Sequence, residues 1–269
     1  MWCRRRRAAP APVVRVPTLF GVGTTRLGGW AALEALTGTI PVRRSYDPDF
    51  RPFALSRMAA DVGKRASVYS FKTDAMSMSS GVHDDALEMF VATIPRGHRC
   101  WIAWRHEPED DTVTPEGFCT GFDRFARIVK SAGRPEIVPT LILMGWTFDQ
   151  RSGRDYRAWL PSVRDGVCAA IDHYTMAPDA PWRTPGELFD GALNALRAAG
   201  FAHVGIAETA CKTTVDDVRQ VEWIKQLGVW AAAQTDLDYV CWFDSDVGDI
   251  GDWWLTPATA AAWGVLAHG

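Results

Sequence analysis

The sequence predicts an α/β fold, a single (β/α)8 TIM barrel. Three observations lead to this prediction. Short β-branched or aromatic runs alternate with longer amphipathic segments, eight such pairs fill the chain, and no linker or low-complexity stretch divides it. Eight strand–helix units over about 250 residues match this barrel. Alternation alone also permits an open doubly wound sheet, but the glycines after the first strand lack the G-x-G-x-x-G spacing of a dinucleotide site.

The predicted strands are short apolar runs with high β-propensity. They lie at 18–22, 40–46, 67–71, 100–105, 137–144, 168–174, 203–207 and 239–243. Helical patterns follow them at 30–38, 51–63, 83–95, 115–133, 155–166, 185–200, 216–234 and 257–269. Several helical patterns begin at a Thr-Pro pair and end at glycine, as helix caps often do; examples are Thr114, Thr184 and Thr256 at the start and Gly133 and Gly200 at the end.

Composition restricts the partners of this 269-residue chain. The net charge is −3, so no bulk attraction to nucleic acid or to a membrane surface is expected. A run of about 18 apolar residues, as a transmembrane helix requires, is missing from the sequence. None of the six cysteines belongs to a C-x-x-C pair, so we expect small buried thiols and no metal or other cofactor. The sequence does not give the oligomeric state, although it favours a monomer.

The first 16 residues are predicted to form a flexible, basic and proline-rich tail ahead of a barrel that spans 17–269. Arginine occupies positions 4–7. A signal peptide would continue with an uninterrupted apolar stretch, but Pro10, Pro12, Arg15 and Pro17 interrupt it here. The segment is therefore a poor signal peptide, and the sequence leaves the localisation open.

Two carboxylates follow predicted strands on the face where barrel enzymes carry their chemistry, at the C-terminal ends of the strands. Glu107 ends the fourth strand and Glu208 ends the seventh. Glu208 comes directly after an uncharged run at 204–207, where a carboxylate is costly unless it is hydrogen-bonded or functional. Because the fourth and seventh strands lie nearly opposite each other, these two side chains can converge on one point.

Two converging carboxyl groups suit the hydrolysis of a glycosidic bond. One protonates the departing oxygen while the other attacks the anomeric carbon. The acid needs a raised pKa, whereas the nucleophile must stay ionised. We expect Arg44 or Arg105 to keep Glu208 ionised, and His106 to orient a carboxylate or bind a sugar hydroxyl.

Other polar and aromatic side chains near strand ends are candidates for binding substrate. Indole rings pack on the apolar faces of sugars, while polar groups fix the hydroxyls. The candidates are His173, Asp244 and Trp146. In contrast, Glu109, Asp110 and Asp111 are predicted to form a solvated loop.

These motifs resemble those of the retaining glycoside hydrolases of clan A, most closely family 26, the β-mannanase type. In that family a His–Glu pair ends strand four, and "WRHEPE" at 104–109 is similar, which implies that Glu107 is the acid/base. "GIAETA" at 205–210 resembles the nucleophile motif and implies that role for Glu208. "DHYTM" implies that Tyr174 touches the nucleophile, and "VCWFDSD" implies that Trp242 floors the subsite of the reacting sugar. The sequence departs from the family's pattern at Pro108-Glu109 and at Ala210.

The resulting prediction is a retaining glycoside hydrolase that cleaves a β-linked polysaccharide of the mannan type or a related β-glycan. Such an enzyme is expected to meet its polymer outside the cell. Two alternatives remain open. One is a non-catalytic barrel that binds carbohydrate on its tryptophans. The other is a metal-dependent sugar isomerase or hydrolase, with ligands drawn from His106, Glu107, Asp172, His173, Glu208 and Asp244.

Overall fold

The computed structural model describes residues 17–25, 29–176, 180–212, 216–247 and 251–269. Eight parallel strands, β1 to β8, follow one another around a closed barrel in sequence order. The barrel closes where β8 pairs with β1, from Leu19 opposite Tyr239 to Thr24 opposite Asp244. This closure confirms the predicted (β/α)8 fold and excludes the open doubly wound sheet, which would have two edge strands.

All eight predicted strands are present, with ends shifted by at most two residues from the predicted positions. The strands are β1 (Leu19–Thr24), β2 (Val42–Asp47), β3 (Ala66–Phe71), β4 (Cys100–Trp104), β5 (Ile137–Met144), β6 (Cys168–Asp172), β7 (His203–Thr209) and β8 (Leu237–Asp244). A short antiparallel ribbon of β9 (Asp246–Val247) and β10 (Gly251–Asp252) follows the barrel.

Seven α-helices occur in the described part of the chain. They are α1 (Gly29–Thr37), α2 (Ala75–Ser80), α3 (Asp84–Thr93), α4 (Pro115–Ser131), α5 (Pro185–Ala198), α6 (Asp217–Ala233) and α7 (Pro257–His268). The three predicted Thr-Pro starts are confirmed, since the hydroxyls of Thr114, Thr184 and Thr256 each accept a hydrogen bond from a backbone N–H of the first turn. The sequence prediction missed α2, which begins after Asp74 and ends at the left-handed Gly81.

Two predicted helices are wrong, because the segments 51–63 and 155–166 form only short 3-10 turns. In the first segment, Ser56 is extended and its hydroxyl donates to the carbonyl of Phe53, which separates two turns. In the second segment, Leu160 is extended because it precedes Pro161, whose ring disfavours helical geometry at the preceding residue. The connections from β2 to β3 and from β5 to β6 therefore lack an α-helix.

The barrel interior is filled by alternate residues of the strands, as the two-residue period of a strand requires. Inward-facing side chains include Val42, Val68, Trp101, Ala103, Ile142, Cys168, Ala170, Ala207, Tyr239 and Cys241. Gly21 is needed in this layer, because a Cβ there would lie 2.8 Å from Val42 Cβ and 2.9 Å from Cys241 Sγ. A second apolar layer packs the outer faces of the strands against the helices.

The cysteine prediction is confirmed for the described residues, in which all five thiols are free. Cys100, Cys168, Cys211 and Cys241 are buried and Cys119 is half-buried. Cys3 and the predicted tail at 1–16 lie outside the described residues. Within the described part of the chain, no helix combines the length and the apolar character that crossing a membrane would need.

Candidate active site

Glu208 is buried at the C-terminal end of β7, and both of its carboxylate oxygens contact a polar partner. Oε1 lies 3.1 Å from Nη2 of Arg44. Oε2 accepts a hydrogen bond of 2.6 Å from the hydroxyl of Tyr174. A cation and a hydrogen-bond donor both stabilise the charged form of a carboxylate.

An irregularity in β7 aims Glu208 at these partners. Gly205 and Ala207 face the barrel interior, so strict alternation would turn residue 208 toward the helices. The register with β8 shifts between Ile206 and Thr209, and the register with β6 shifts at the same level. Such irregularities re-aim side chains, and here the shift coincides with the residue that the sequence singles out.

Arg44 lies on the inward side of β2 and is nearly inaccessible to solvent. Its Nη1 donates to Ser70 Oγ at 2.7 Å and to the Ser45 carbonyl at 3.1 Å. Burial by itself would lower the pKa of Arg44, but the carboxyl groups of Glu208 and Asp172 outweigh it and raise that pKa. Arg44 is thus a fixed cation beneath the strand ends, and Arg44 rather than Arg105 forms the ion pair with Glu208.

Glu107 follows β4 in a left-handed backbone conformation, with φ 50° and ψ 52°. Its N–H donates to the carbonyl of Ile142 on β5 at 3.1 Å, which ties the turn to the neighbouring strand. Burial, followed by the negative charges of Glu208 and Glu109, raises the pKa of Glu107 to about 8. Glu107 therefore holds its proton more tightly than an ordinary exposed glutamate.

His106 and Tyr46 pack beside this pair. The His106 Nδ1 lies 3.1 Å from Ser70 Oγ, and its ring is 5.3 Å from that of Tyr46. Burial, followed by the charges of Arg44 and Lys72, lowers the pKa of His106 well below its ordinary value. Ser70 therefore links the neutral imidazole of His106 to the guanidinium of Arg44, which pairs with Glu208. His106 and Glu208 thus belong to one connected cluster.

The barrel is similar to those of solved glycoside hydrolases. A β-mannanase of family 26 from Bacteroides ovatus has a TM-score of 0.60 at 10% identity, over 94% of this chain and 89% of that chain. A family 5 xyloglucan-specific endo-β-1,4-glucanase from a metagenomic library, in complex with cellotriose, has a TM-score of 0.56 at 13% identity, over 89% and 86%. A family 128 curdlan-specific exo-β-1,3-glucanase from Blastomyces gilchristii, in complex with glucose, has a TM-score of 0.53 at 14% identity, over 91% and 97%.

The chain shares the (β/α)8 barrel fold of these glycoside hydrolases. At these identities the likeness concerns the fold alone. No protein-family model matches the sequence, and no curated protein sequence matches it either. The chemistry of this barrel therefore has to be argued from its own residues.

Asp172 is a third carboxyl group among the inward-facing residues of the barrel. It ends β6 opposite Glu208 and is 3% exposed. Neither of its oxygens has a hydrogen-bond partner among the described residues. Burial, followed by the charges of Glu208 and Glu107, raises the pKa of Asp172 well above its ordinary value. The sequence analysis considered Asp172 only as a metal ligand, although its place after the apolar run at 168–171 resembles that of Glu208.

The predicted role of Trp242 is wrong. Its indole is fully buried on the outer side of β8, against Trp223 of α6 and Trp263 of α7, and its Nε1 donates to the Trp253 carbonyl. A platform for a sugar ring must be exposed, so Trp242 cannot floor a subsite. Strand alternation explains the error, because the inward-facing neighbour is Phe243.

Asp244 is also fully buried, which contradicts its predicted contact with substrate. Its Oδ2 accepts a hydrogen bond of 2.7 Å from Thr24 Oγ1, and its Oδ1 accepts one of 2.7 Å from the Leu255 N–H. These bonds join the ends of β1 and β8 to the segment before α7. Asp244 therefore helps to hold β1 and β8 together at their C-terminal ends.

Arg105 and His173 point away from the Glu208 carboxylate. Arg105 donates through Nε to the Thr73 carbonyl and forms an ion pair of 2.7 Å with Asp111. His173 lies between Gly145, where a Cβ would approach its ring within 2.3 Å, and the ring of Phe189 on α5. Nothing in these positions supports the predicted contacts with substrate, which remain predictions.

The surface beside the cluster contains aromatic groups that sequence reasoning only partly anticipated. A shallow cleft next to Arg44 is lined by Gly23, Thr24, Thr25, Arg43, Ser45, Tyr46, Arg57 and Phe243. Trp146, in the turn after β5, is 41% exposed with the Arg151 guanidinium 5.5 Å from its ring centroid. The alternation of residues in β2 and β8 is the signal that would have identified Tyr46 and Phe243.

Proposed function

We propose that the protein is a retaining glycoside hydrolase acting on a β-linked glycan, with Glu208 as nucleophile and Glu107 as acid/base. One observation carries this proposal, namely the contrast between the surroundings of the two carboxyl groups. Glu208 has Arg44 at 3.1 Å and the Tyr174 hydroxyl at 2.6 Å, which favour the charged form. Burial and the charge of Glu208 raise the pKa of Glu107 to about 8, which favours the protonated form. Paired carboxyls in opposite protonation states are the requirement of this reaction.

The reaction then takes two displacement steps. Glu208 attacks the anomeric carbon as the glycosidic C–O bond breaks, and the proton of Glu107 passes to the leaving oxygen. In the second step the ionised Glu107 takes a proton from water, and that water attacks the anomeric carbon and releases Glu208. Arg44 and Tyr174 hold the nucleophile throughout, and the neutral His106 is available for a sugar hydroxyl.

The substrate class is supported by the fold neighbours and by the exposed aromatic groups. The neighbours are named as enzymes of xyloglucan, curdlan and mannan, which have in common a β-linked backbone. The half-buried Tyr46 and the exposed Trp146 supply apolar surface for sugar rings. These observations support a β-glucan or β-mannan and leave the choice of sugar to experiment.

A panel of polysaccharides tests the proposal. Purified protein is incubated with mannan, xyloglucan, curdlan and mixed-linkage β-glucan, and new reducing ends are measured. We expect release from at least one polymer, with the β-anomer as the first product in proton NMR, because double displacement retains configuration. Initial formation of the α-anomer would contradict the retaining mechanism. Binding to a glycan without any cleavage would favour the non-catalytic carbohydrate-binding barrel.

The metal-dependent alternative gains no specific support from the geometry. In the parts of the chain that the structure describes, no three His, Cys, Asp or Glu side chains are grouped so that they could hold a metal ion. The proposed reaction needs none, so activity on the panel should survive treatment with a chelator. Loss of activity with EDTA and recovery with a divalent metal would favour the alternative.

The dependence of activity on pH follows from the raised pKa of Glu107. The first step requires the protonated acid, so kcat/KM should stay high through neutral pH and fall as the pH rises through about 8. An ordinary glutamate would lose its proton near pH 4. The fall in kcat/KM on the basic side would then occur about four pH units lower. Initial rates between pH 4 and 10, with circular dichroism as a control for folding, measure where this fall occurs. A fall in activity centred near pH 5 would contradict the assignment of Glu107.

A further inference from the structure

Glu109 was predicted to belong to a solvated loop, but its side chain turns inward against the end of β5. Its Oε1 accepts a hydrogen bond of 3.0 Å from the N–H of Met144. Its Oε2 is buried beside the Thr147 hydroxyl. The two following acids behave differently, because Asp110 pairs with Arg154 and Asp111 pairs with Lys72 and Arg105.

The turn that Glu109 belongs to carries Glu107. A one-turn 3-10 helix, Pro108–Asp110, follows directly on Glu107. The left-handed conformation of Glu107 is strained for a non-glycine residue, so neighbouring contacts have to maintain it. Two hydrogen bonds to β5 do so: one from the Glu107 N–H to the Ile142 carbonyl and one from the Met144 N–H to Glu109 Oε1. These two hydrogen bonds hold the residues immediately before and after Pro108.

We propose that Glu109 is a positioning residue, whose carboxyl group clamps the Glu107 turn to the end of β5 and fixes where the acid/base delivers its proton. This inference rests on the proposed function. The Glu109 carboxylate also carries negative charge close to Glu107. It therefore affects the pKa of Glu107 as well as the position of the Glu107 side chain. Catalysis is sensitive to such placement, since a displacement of about 1 Å can reduce a rate by about 100-fold.

The electrostatic surroundings agree with this role. Burial raises the pKa of Glu109 to about 7, against hydrogen bonds from its own N–H, the Thr147 hydroxyl and the Met144 N–H, and against the charge of Arg154. Its charge is one of the causes of the raised pKa of Glu107. Asp110 lies on the same 3-10 turn as Glu109. The charged or titratable groups that face the pair from other elements are Arg44 and Tyr46 on β2, Asp172 and Tyr174 at the end of β6, Glu208 on β7, and Arg154 in the loop after β5.

Two substitutions separate the clamp from its charge. Glu109→Gln keeps an oxygen for the Met144 N–H but removes the charge, so kcat at pH 6 should stay within about threefold of wild type. In Glu109→Gln the fall in kcat/KM on the basic side should occur about half a pH unit lower, because one negative neighbour of Glu107 is lost. Glu109→Ala removes the clamp, and kcat should fall by about 10- to 100-fold with KM changed less than about threefold. Asp110→Asn is the matched control, since it removes an adjacent, more exposed charge and leaves the clamp intact.

A readout without substrate complements the kinetics. The carboxyl carbon of Glu107 is followed by 13C NMR in protein labelled at glutamate, with Glu107→Gln assigning the resonance. We expect its titration to move to lower pH in Glu109→Gln and less in Asp110→Asn. If both Glu109 variants merely melt earlier, with wild-type kcat, pH dependence and titration, Glu109 is only a structural residue and the inference is overturned. Full activity in Glu107→Gln would instead overturn the proposed function, so the two failures are distinguishable.

Discussion

Glu208→Ala should reduce kcat by about 10⁴-fold or more on any polymer that the wild type cleaves, because the glycosyl–enzyme intermediate can no longer form. The substitution also leaves the buried Arg44 guanidinium without its partner carboxylate, which lies at 3.1 Å in the native protein. Removing one member of a buried ion pair costs about 3–5 kcal/mol. The variant should therefore both lose turnover and unfold at a lower temperature.

Glu208→Gln separates these two effects. The amide keeps its size and an acceptor for the Tyr174 hydroxyl, so it should lose turnover as fully while losing less stability than the alanine variant. Release of reducing ends and the melting temperature by differential scanning calorimetry are the measurements. Glu88→Gln, at an exposed position of α3, is the matched control and should leave both unchanged. Turnover near the wild-type level in a folded Glu208 variant would remove Glu208 from the mechanism.

Glu107→Gln should reduce kcat on the natural polymer by about 10²–10⁴-fold, the usual contribution of a general acid. The effect should depend on the leaving group. A dinitrophenyl glycoside departs without protonation, so its first displacement should stay fast and the second should become limiting. Pre-steady-state release of dinitrophenol should then show a burst of one equivalent per enzyme, followed by slow turnover.

An added nucleophile completes this test. Azide needs no general base, so it should accelerate turnover of the dinitrophenyl glycoside by the Glu107→Gln enzyme and yield a glycosyl azide of β-configuration. Azide should have no such effect on the wild type. An equal loss of activity on good and poor leaving groups, with no burst and no rescue, would show that Glu107 does not act on the leaving oxygen.

Part of the site was predictable because short-range rules govern it. Glu107 and Glu208 each end a run of apolar residues, and counting strands puts both runs on one face of the barrel. Their order along the chain fixes that placement, since parallel strands with right-handed connections all end on the same side. Tyr174 was likewise predicted, and its hydroxyl does donate to Glu208. Its role in catalysis remains a prediction.

The wrong prediction for Trp242 concerns the way side chains point at the C-terminal ends of the strands. Trp242 was expected to face the substrate at the C-terminal end of the barrel. The side chains of β8 alternate regularly, however, and this turns Trp242 toward α6 and α7. Glu208 lies in β7, where a shift in register redirects it inward. Alternation therefore holds at one strand end and fails at another, and a sequence pattern does not reveal which.

The sequence by itself determined the eight strands, their order, and the two carboxyl groups at the ends of β4 and β7, because strand periodicity and helix caps are local properties of the chain. Only the tertiary structure decided the partners. Arg44 and not Arg105 pairs with Glu208, Asp172 is buried opposite it, and Glu109 turns in to hold the Glu107 turn. These contacts join elements distant in sequence, and burial in that shared interior raises the pKa values of Glu107 and Asp172.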